Sequence, residues 1–196
     1  MKKFELTAEF VTNVFGTKLF RIKALVAFGD VEKGELGGFI EKEGNLSHDG
    51  NAWVSGNARV SGNAWVYGDA RVSGNAWVYG NAWVYGNAWV YGNAWVYGNA
   101  WVSGNARVSG NARVSGNADY AVVTGFGRYF RATTFFRCKD KILRVQCGCF
   151  YGDLAQFREI VKKTHDDSKY AKEYLAIADL MELHFSDEEE KQEADE

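Results

Sequence analysis

Proline is absent from all 196 residues, and cysteine, methionine and histidine are scarce, at three, two and three copies. Each shortage removes something. Without proline, chain reversals fall to glycine, present 22 times, and a stiff proline-rich linker is excluded. An odd number of cysteines argues against a disulfide framework and fits a reducing compartment. Three histidines leave little from which to build a histidine-ligated metal centre. No apolar run approaches the ~20 residues of a membrane-spanning helix, and "MKKFELTAEF" turns polar and acidic too early for a signal peptide. The expectation is a cytoplasmic protein with no membrane partner. The formal charge of −2 is uneven, because "SDEEEKQEADE" over 186–196 holds seven acids and one lysine and leaves the rest net positive. Such a run reads as a solvated, disordered acidic tail.

What is present in excess is a six-residue unit, A-x-V-x-G-N. Valine falls at every sixth position from Val54 to Val114, alanine two residues before each from Ala52 to Ala112, and Gly-Asn or Gly-Asp at each corner. In an extended chain, residues two apart share a face. Alanine and valine never vary, whereas tryptophan gives way to Arg59, Arg71, Arg107 and Arg113, and tyrosine gives way to serine. A packed interior does not exchange tryptophan for arginine, so alanine and valine point in and the aromatics out. Glycine supplies positive φ at the corners, and asparagine tolerates it. Three corners close a triangular coil of three hexapeptides.

This pattern resembles the left-handed parallel β-helix of hexapeptide-repeat proteins, which pair an aliphatic residue with a small one two positions earlier. The left hand is implied by that resemblance and runs against the usual crossover rule. "GELGGFIEKEGNLSHDGNAWV" before the repeats, and "CGCFYG" and "DSKYAKEYL" after them, look like hexapeptide-repeat proteins of bacteria and phages, named polymer-forming or transferase-like. The organisation expected is an N-terminal β cap over 1–37, a solenoid of about five coils over 38–123, and a β-hairpin plus two-helix cap over 124–185. Ile40 and Leu46 extend the register upstream, which puts His48 at a valine position, as a capping or hydrogen-bonded residue. Asp153 and Gln156 form a capping box for a first helix, with Leu154, Phe157, Ile160 and Val161 as its stripe. A second helix starts near Asp167 or Ser168 and buries Tyr170, Tyr174, Ile177, Ala178 and Met181.

Hexapeptide-repeat relatives include carbonic anhydrases, which need three metal-binding histidines, and acyltransferases, which depend on a histidine base and on loops leaving the coil. Here His48, His165 and His184 lie outside the regular coils, and the coils carry no insertion. An acyltransferase is the alternative reading, and no cofactor or metal is expected. Cys138, Cys147 and Cys149 with His165 match no common zinc spacing. They read as buried thiols under the helices, with Cys147 and Cys149 on one strand face opposite Thr134 and Ala132. Arg128, Arg131, Arg137, Lys139, Lys141 and Arg144 interleave with Tyr129, Phe130, Phe135 and Phe136, a string that could grip nucleic acid. A hairpin whose aromatics pack on the helices is preferred.

Positions three units apart stack. One face reads Trp53, Arg71, Trp89, Arg107, with Tyr91 beside Trp89. A second reads Arg59, Trp77, Trp95, Arg113, with Tyr79 and Tyr97. A third reads Trp65, Trp83, Trp101, with Tyr67 and Tyr85. Stacked rings reinforce one another, but so many large aromatics exceed what monomers leave bare. The reading is a non-catalytic binding or scaffold protein. Its Trp/Tyr faces mediate self-association, as a trimer by the resemblance, or take up a planar, sugar-like or anionic ligand, with Arg59, Arg71, Arg107 and Arg113 as clamps. The phage resemblance implies a host-directed role, such as sequestering a nucleotide signal or blocking a defence protein.

Overall fold

A computed structural model describes residues 1–186; apart from Ser186, the acidic tail lies outside them. Three strands lead in, β1 (Phe4–Thr12), β2 (Lys18–Ala24) and β3 (Leu36–Ile40). The repeats then give eleven two-residue strands: β4 (Trp53–Val54), β5 (Arg59–Val60), β6 (Trp65–Val66), β7 (Arg71–Val72), β8 (Trp77–Val78), β9 (Trp83–Val84), β10 (Trp89–Val90), β11 (Trp95–Val96), β12 (Trp101–Val102), β13 (Arg107–Val108) and β14 (Arg113–Val114). Each pairs in parallel with the strand three units on, Trp77 beside Trp95 and Val78 beside Val96. Three sheets result, in the orders β4-β7-β10-β13, β5-β8-β11-β14 and β6-β9-β12, and they are the three faces read from the repeat. The stack makes about four turns, one fewer than expected. Every repeat alanine and valine is buried, including Ala88 and Val90.

The corners correct one expectation. Only glycine takes positive φ there, from +60° at Gly110 to +73° at Gly80. Asparagine does not, and its side chain shows another use. Asn57 donates its amide to Asn75 and Asn75 to Asn93, while Asn63 donates to Asn81 and Asn81 to Asn99, over 3.1–3.3 Å. Two corners therefore carry amide ladders of the kind that stabilise stacked strands. The third has Asp69, which accepts from Asn51 at 2.8 Å.

The first coil is also shifted. Ile40 pairs with Val60 and Leu46 with Val66, twenty positions apart rather than eighteen, so Leu46, not His48, fills a valine position. His48-Asp49 is a two-residue addition at the corner. His48 Nδ1 accepts from the Lys3 N–H at 3.1 Å, its Nε2 lies 2.7 Å from Glu43, and its ring stacks on Phe4. The expected hydrogen-bonded role stands. Asn45, fully buried, donates to the carbonyls of Gly62 and Ala64 and closes the lower edge of β6.

Both ends are capped, as exposed strand edges require. The hairpin β1–β2 continues the second face's sheet through β3, and Phe4, Ile22, Ala24 and Val31 close the interior from below. Above, β15 (Tyr120–Val123), β16 (Thr133–Arg137), β17 (Leu143–Cys147) and β18 (Phe150–Asp153) form an antiparallel sheet, larger than the expected hairpin. Phe136 and Cys138 join the solenoid interior, while Phe135 and Val145 face α1 (Leu154–His165) and α2 (Lys169–Phe185). The Asp153–Gln156 box caps α1 in both directions, and Ser168 caps α2. Ile160 and Tyr170 are partly exposed, at 37% each; the other expected stripe residues are buried. Thr133, not Thr134, lies opposite Cys147. Cys149 sits beyond the strand, in the turn to β18, and is exposed. Tyr129 and Phe130, expected to pack, lie ahead of β16 at 62% and 70% exposure.

Val90→Asp should unfold the solenoid, because it strands a charge in a dry interior; loss of the far-UV strand signal checks this. Deleting Val78 through Trp95 removes one coil and should leave a folded protein, whereas deleting a single hexapeptide rotates the upper cap by one face and should not. Gly80→Ala should cost at least ~1–2 kcal/mol in a thermal melt, because an L-residue is strained at positive φ and its Cβ would lie 3.0 Å from the Gly98 nitrogen.

Candidate functional site

The three outer faces are not equivalent, and what covers each can be followed residue by residue. On the first face, the loop between β2 and β3 folds over the lower half. Phe28 meets Trp53 edge-on at 5.4 Å, leaving Trp53 1% exposed, and Asp30 pairs with Arg71. Higher up, Arg107 lies over Trp89 at 5.1 Å, and Trp89 remains 47% exposed. Arg71 and Arg107 thus flank Trp89 in sequence order, but Arg71 is already neutralised.

On the second face, a column runs the height of the seven-stranded sheet. Arg21 lies over Phe39 at 4.4 Å, Phe39 pairs with Arg59, and Arg59 lies over Trp77 at 5.0 Å. Trp77 stacks on Trp95 at 5.2 Å, and Arg113 closes the top over Trp95 at 4.1 Å. Tyr79 and Tyr97 stack beside it at 5.2 Å. Arg113 also donates to the carbonyls of Asn93, Asn111 and Ala112. Each indole here has both faces occupied, and guanidinium over indole is attractive. Arg59 and Arg113 therefore cap a column of rings. The tip of the β1–β2 hairpin, with Val14 and Phe15 exposed, forms a groove of about 410 Å³ with Trp77, Tyr79 and Trp95.

The third face carries no charged outward side chain at the tryptophan positions from Trp65 to Trp101. Trp65 stacks on Tyr67 at 4.1 Å and meets Trp83 edge-on, Tyr67 stacks on Tyr85 at 4.9 Å, and Trp83 stacks on Trp101 at 5.1 Å. Burial, with Tyr85 alongside, raises the Tyr67 phenol above its ordinary pKa; burial, with Tyr97 alongside, does the same for Tyr79. Both stay neutral hydrogen-bonding groups at physiological pH. Trp65 is 38% and Trp101 46% exposed. At the top, Tyr120 donates to the Trp101 carbonyl and Asn117 accepts from the Trp101 N–H. A shelf of about 560 Å³ opens there, lined by Tyr85, Trp101, Ser103, Asn105, Asn117 and Tyr120. Of the candidates from the sequence, this face gathers Trp65, Tyr67, Trp83, Tyr85 and Trp101. Tyr91, Trp89 and Arg107 lie on or beside the first face with Arg71, and the rest belong to the second. Asn117 and Tyr120 were not anticipated, because "GNADY" departs from the repeat and carries no aromatic at the tryptophan position, and Asn105 looks like any other corner asparagine.

Among the described residues no three His, Cys, Asp or Glu side chains converge as metal ligands, and no helix is long and apolar enough to cross a membrane. His165 lies beside Tyr170 and Tyr174, His184 beside Phe185, and Cys147 accepts from the Thr133 hydroxyl.

The solenoid is similar to the YdcK beta solenoid repeat, whose family model matches residues 52–68, 64–80, 70–86, 76–92, 88–104 and 106–118. The matches stay within the coils and reach neither cap, so they support a repeat β-helix protein and leave the caps unaccounted for. No curated protein matches the chain.

The columns differ in what a single truncation removes. Trp77→Ala breaks a stack on both sides and should cost roughly 0.5–1.5 kcal/mol more than Trp101→Ala, which removes only an end ring. Parallel thermal melts would show the order.

Proposed function

We propose that the protein is a non-catalytic β-solenoid that works by binding, and that the face bearing Trp65, Trp83 and Trp101 is its contact surface, used first for association with further copies of the same chain. The observation that carries this is the contrast between faces. Phe28 and Asp30 cover the lower half of the first, and guanidinium groups close the column on the second. On the third, among the described residues, the rings stack on one another with no guanidinium over them, and two are 38% and 46% exposed. Tryptophan and tyrosine each bring ~150–250 Å², and contiguous apolar patches above a few hundred Å² mark interaction sites. Indole and phenol are also the groups that dominate interface energies. The hexapeptide resemblance favours a trimer. Capture of a host protein would use the same rings. An acyltransferase would need a free histidine base at the coils, whereas the regular coils from Ala52 to Val114 hold no histidine and His48 at the first corner is engaged by the Lys3 N–H and Glu43.

Trp65→Arg with Trp101→Arg tests this. It leaves Trp83 between two guanidinium groups, much as the second face places Arg59 and Arg113 around Trp77 and Trp95. The fold should therefore persist with a melt changed by about 1 kcal/mol or less. Light scattering should then report a monomer where the parent is an oligomer. A parent that is monomeric, or a variant that keeps its subunit number, rejects self-association through this face.

A further inference from the structure

The three aromatic columns end differently. Seen from below, Trp95 is followed one coil on by Arg113, and Trp89 by Arg107; in both cases the guanidinium lies over the ring. Trp101 is followed by Asp119, which turns away to accept from the Ser115 N–H and hydroxyl and the Gly116 N–H. No coil lies above this corner. A Cβ built at Gly68 or Gly86 would touch the next coil at 3.1 Å, whereas one at Gly104 would meet nothing within 4 Å. Asn87 donates its backbone N–H to the Gly104 carbonyl, and the equivalent Asn105 N–H has no coil above to receive it. Among the described residues no guanidinium lies over the upper end of this column, and Trp101, 46% exposed, lines the 560 Å³ shelf.

We infer that this shelf is a binding site for an uncharged planar heterocycle of the nucleobase type, stacked on Trp101 in the place a guanidinium takes on the other columns. The shelf has the size of small-molecule sites, ~300–1,000 Å³. No charged side chain lines it among the described residues, so it offers neither a carboxylate for a guanidinium nor a cation for a phosphate. What it offers is an exposed ring, the Thr124 hydroxyl, the Asn105 amide and the amide nitrogen of Asn117, whose oxygen already accepts from the Trp101 N–H. An amide presents a donor and an acceptor side by side, which is how a base edge is read. Burial raises the Tyr120 phenol, against hydrogen bonds from Ser103, so it stays a neutral hydroxyl that holds the Trp101 carbonyl at the rim of the shelf. Stacking of a base on an aromatic platform supplies affinity without sequence preference.

The site rests on the binding reading of this face, but the two can fail separately. Saturation-transfer NMR and calorimetry with adenosine, guanosine, cytidine and uridine on the purified full chain should show transfer to base protons from at least one nucleoside. Trp101→Ala should weaken that binding about ten-fold or more, Asn105→Ala less, and Trp89→Ala not at all. The 5′-monophosphate should bind no tighter than its nucleoside. No transfer from any nucleoside at millimolar concentration, equal affinity in Trp101→Ala, or a monophosphate bound far tighter through Arg107 would each overturn the inference. Light scattering on the same samples reads self-association independently. A monomeric parent that binds a nucleoside at Trp101 refutes that association and leaves the site standing.

Discussion

Everything outside the caps depends on one backbone hydrogen bond repeated between coils. The N–H of each outward residue reaches the carbonyl one coil up, as Trp77 to Ala94 and Trp83 to Ala100, at about 2.9 Å. That bond sets strands at the ~4.8 Å spacing of any β ladder. It also fixes what side chains can do, because residues one coil apart are carried at the same interval. Planar groups profit most. Tyr67 and Tyr85, Trp77 and Trp95, and Trp83 and Trp101 stack at 4.9–5.2 Å, close to the ladder spacing itself. Corner amides use the same interval for their own hydrogen bonds. The exterior is thus an extension of the interior ladder.

This explains why an outward position can alternate between tryptophan and arginine without disturbing the fold. Both are flat, and a guanidinium laid over an indole occupies the next place in the stack as well as a second indole would. A face's chemistry is then decided by which flat groups are cationic and where the run of them stops. On the second face arginine closes the run at top and bottom. On the third nothing does.

Much of this is legible in the sequence. Strict alanine and valine at fixed spacing identify the interior, counting the repeats in threes gives the three faces, and Asp153 with Gln156 marks the start of the first helix. The shifted first coil is hidden because Leu46 and Ile40 fall six and twelve positions before Ala52. The upstream register therefore looks unbroken, while His48-Asp49 is in fact an addition. The cover over Trp53 is hidden because Phe28 and Asp30 reach it from a loop with no periodicity. The exposure of Cys149, Tyr129 and Phe130 depends on where turns fall around β16 and β18, which spacing alone does not fix. The open end above Trp101 is readable in part, since Asp119 stands three units beyond it. That Asp119 turns to the Ser115 corner is a tertiary fact.

The interchangeable interior has a consequence for how the chain finds its structure. From Trp77 to Tyr97 the units are nearly identical, so a coil docked one turn too high or too low satisfies the same valines, the same amides and almost the same rings. Misalignment inside the stack carries little energetic penalty, and the native alignment must be imposed from places that are unlike the rest. The lengthened first coil with its buried Asn45, the lone Asp69 among corner asparagines, and the sheet that seats Phe136 on the last coil are such places. Folding that zips from either terminus inherits the right alignment, whereas folding that begins in the middle has to be undone. The terminal segments, together with Asp69, therefore hold the information about alignment, and the termini do so in addition to shielding the edges.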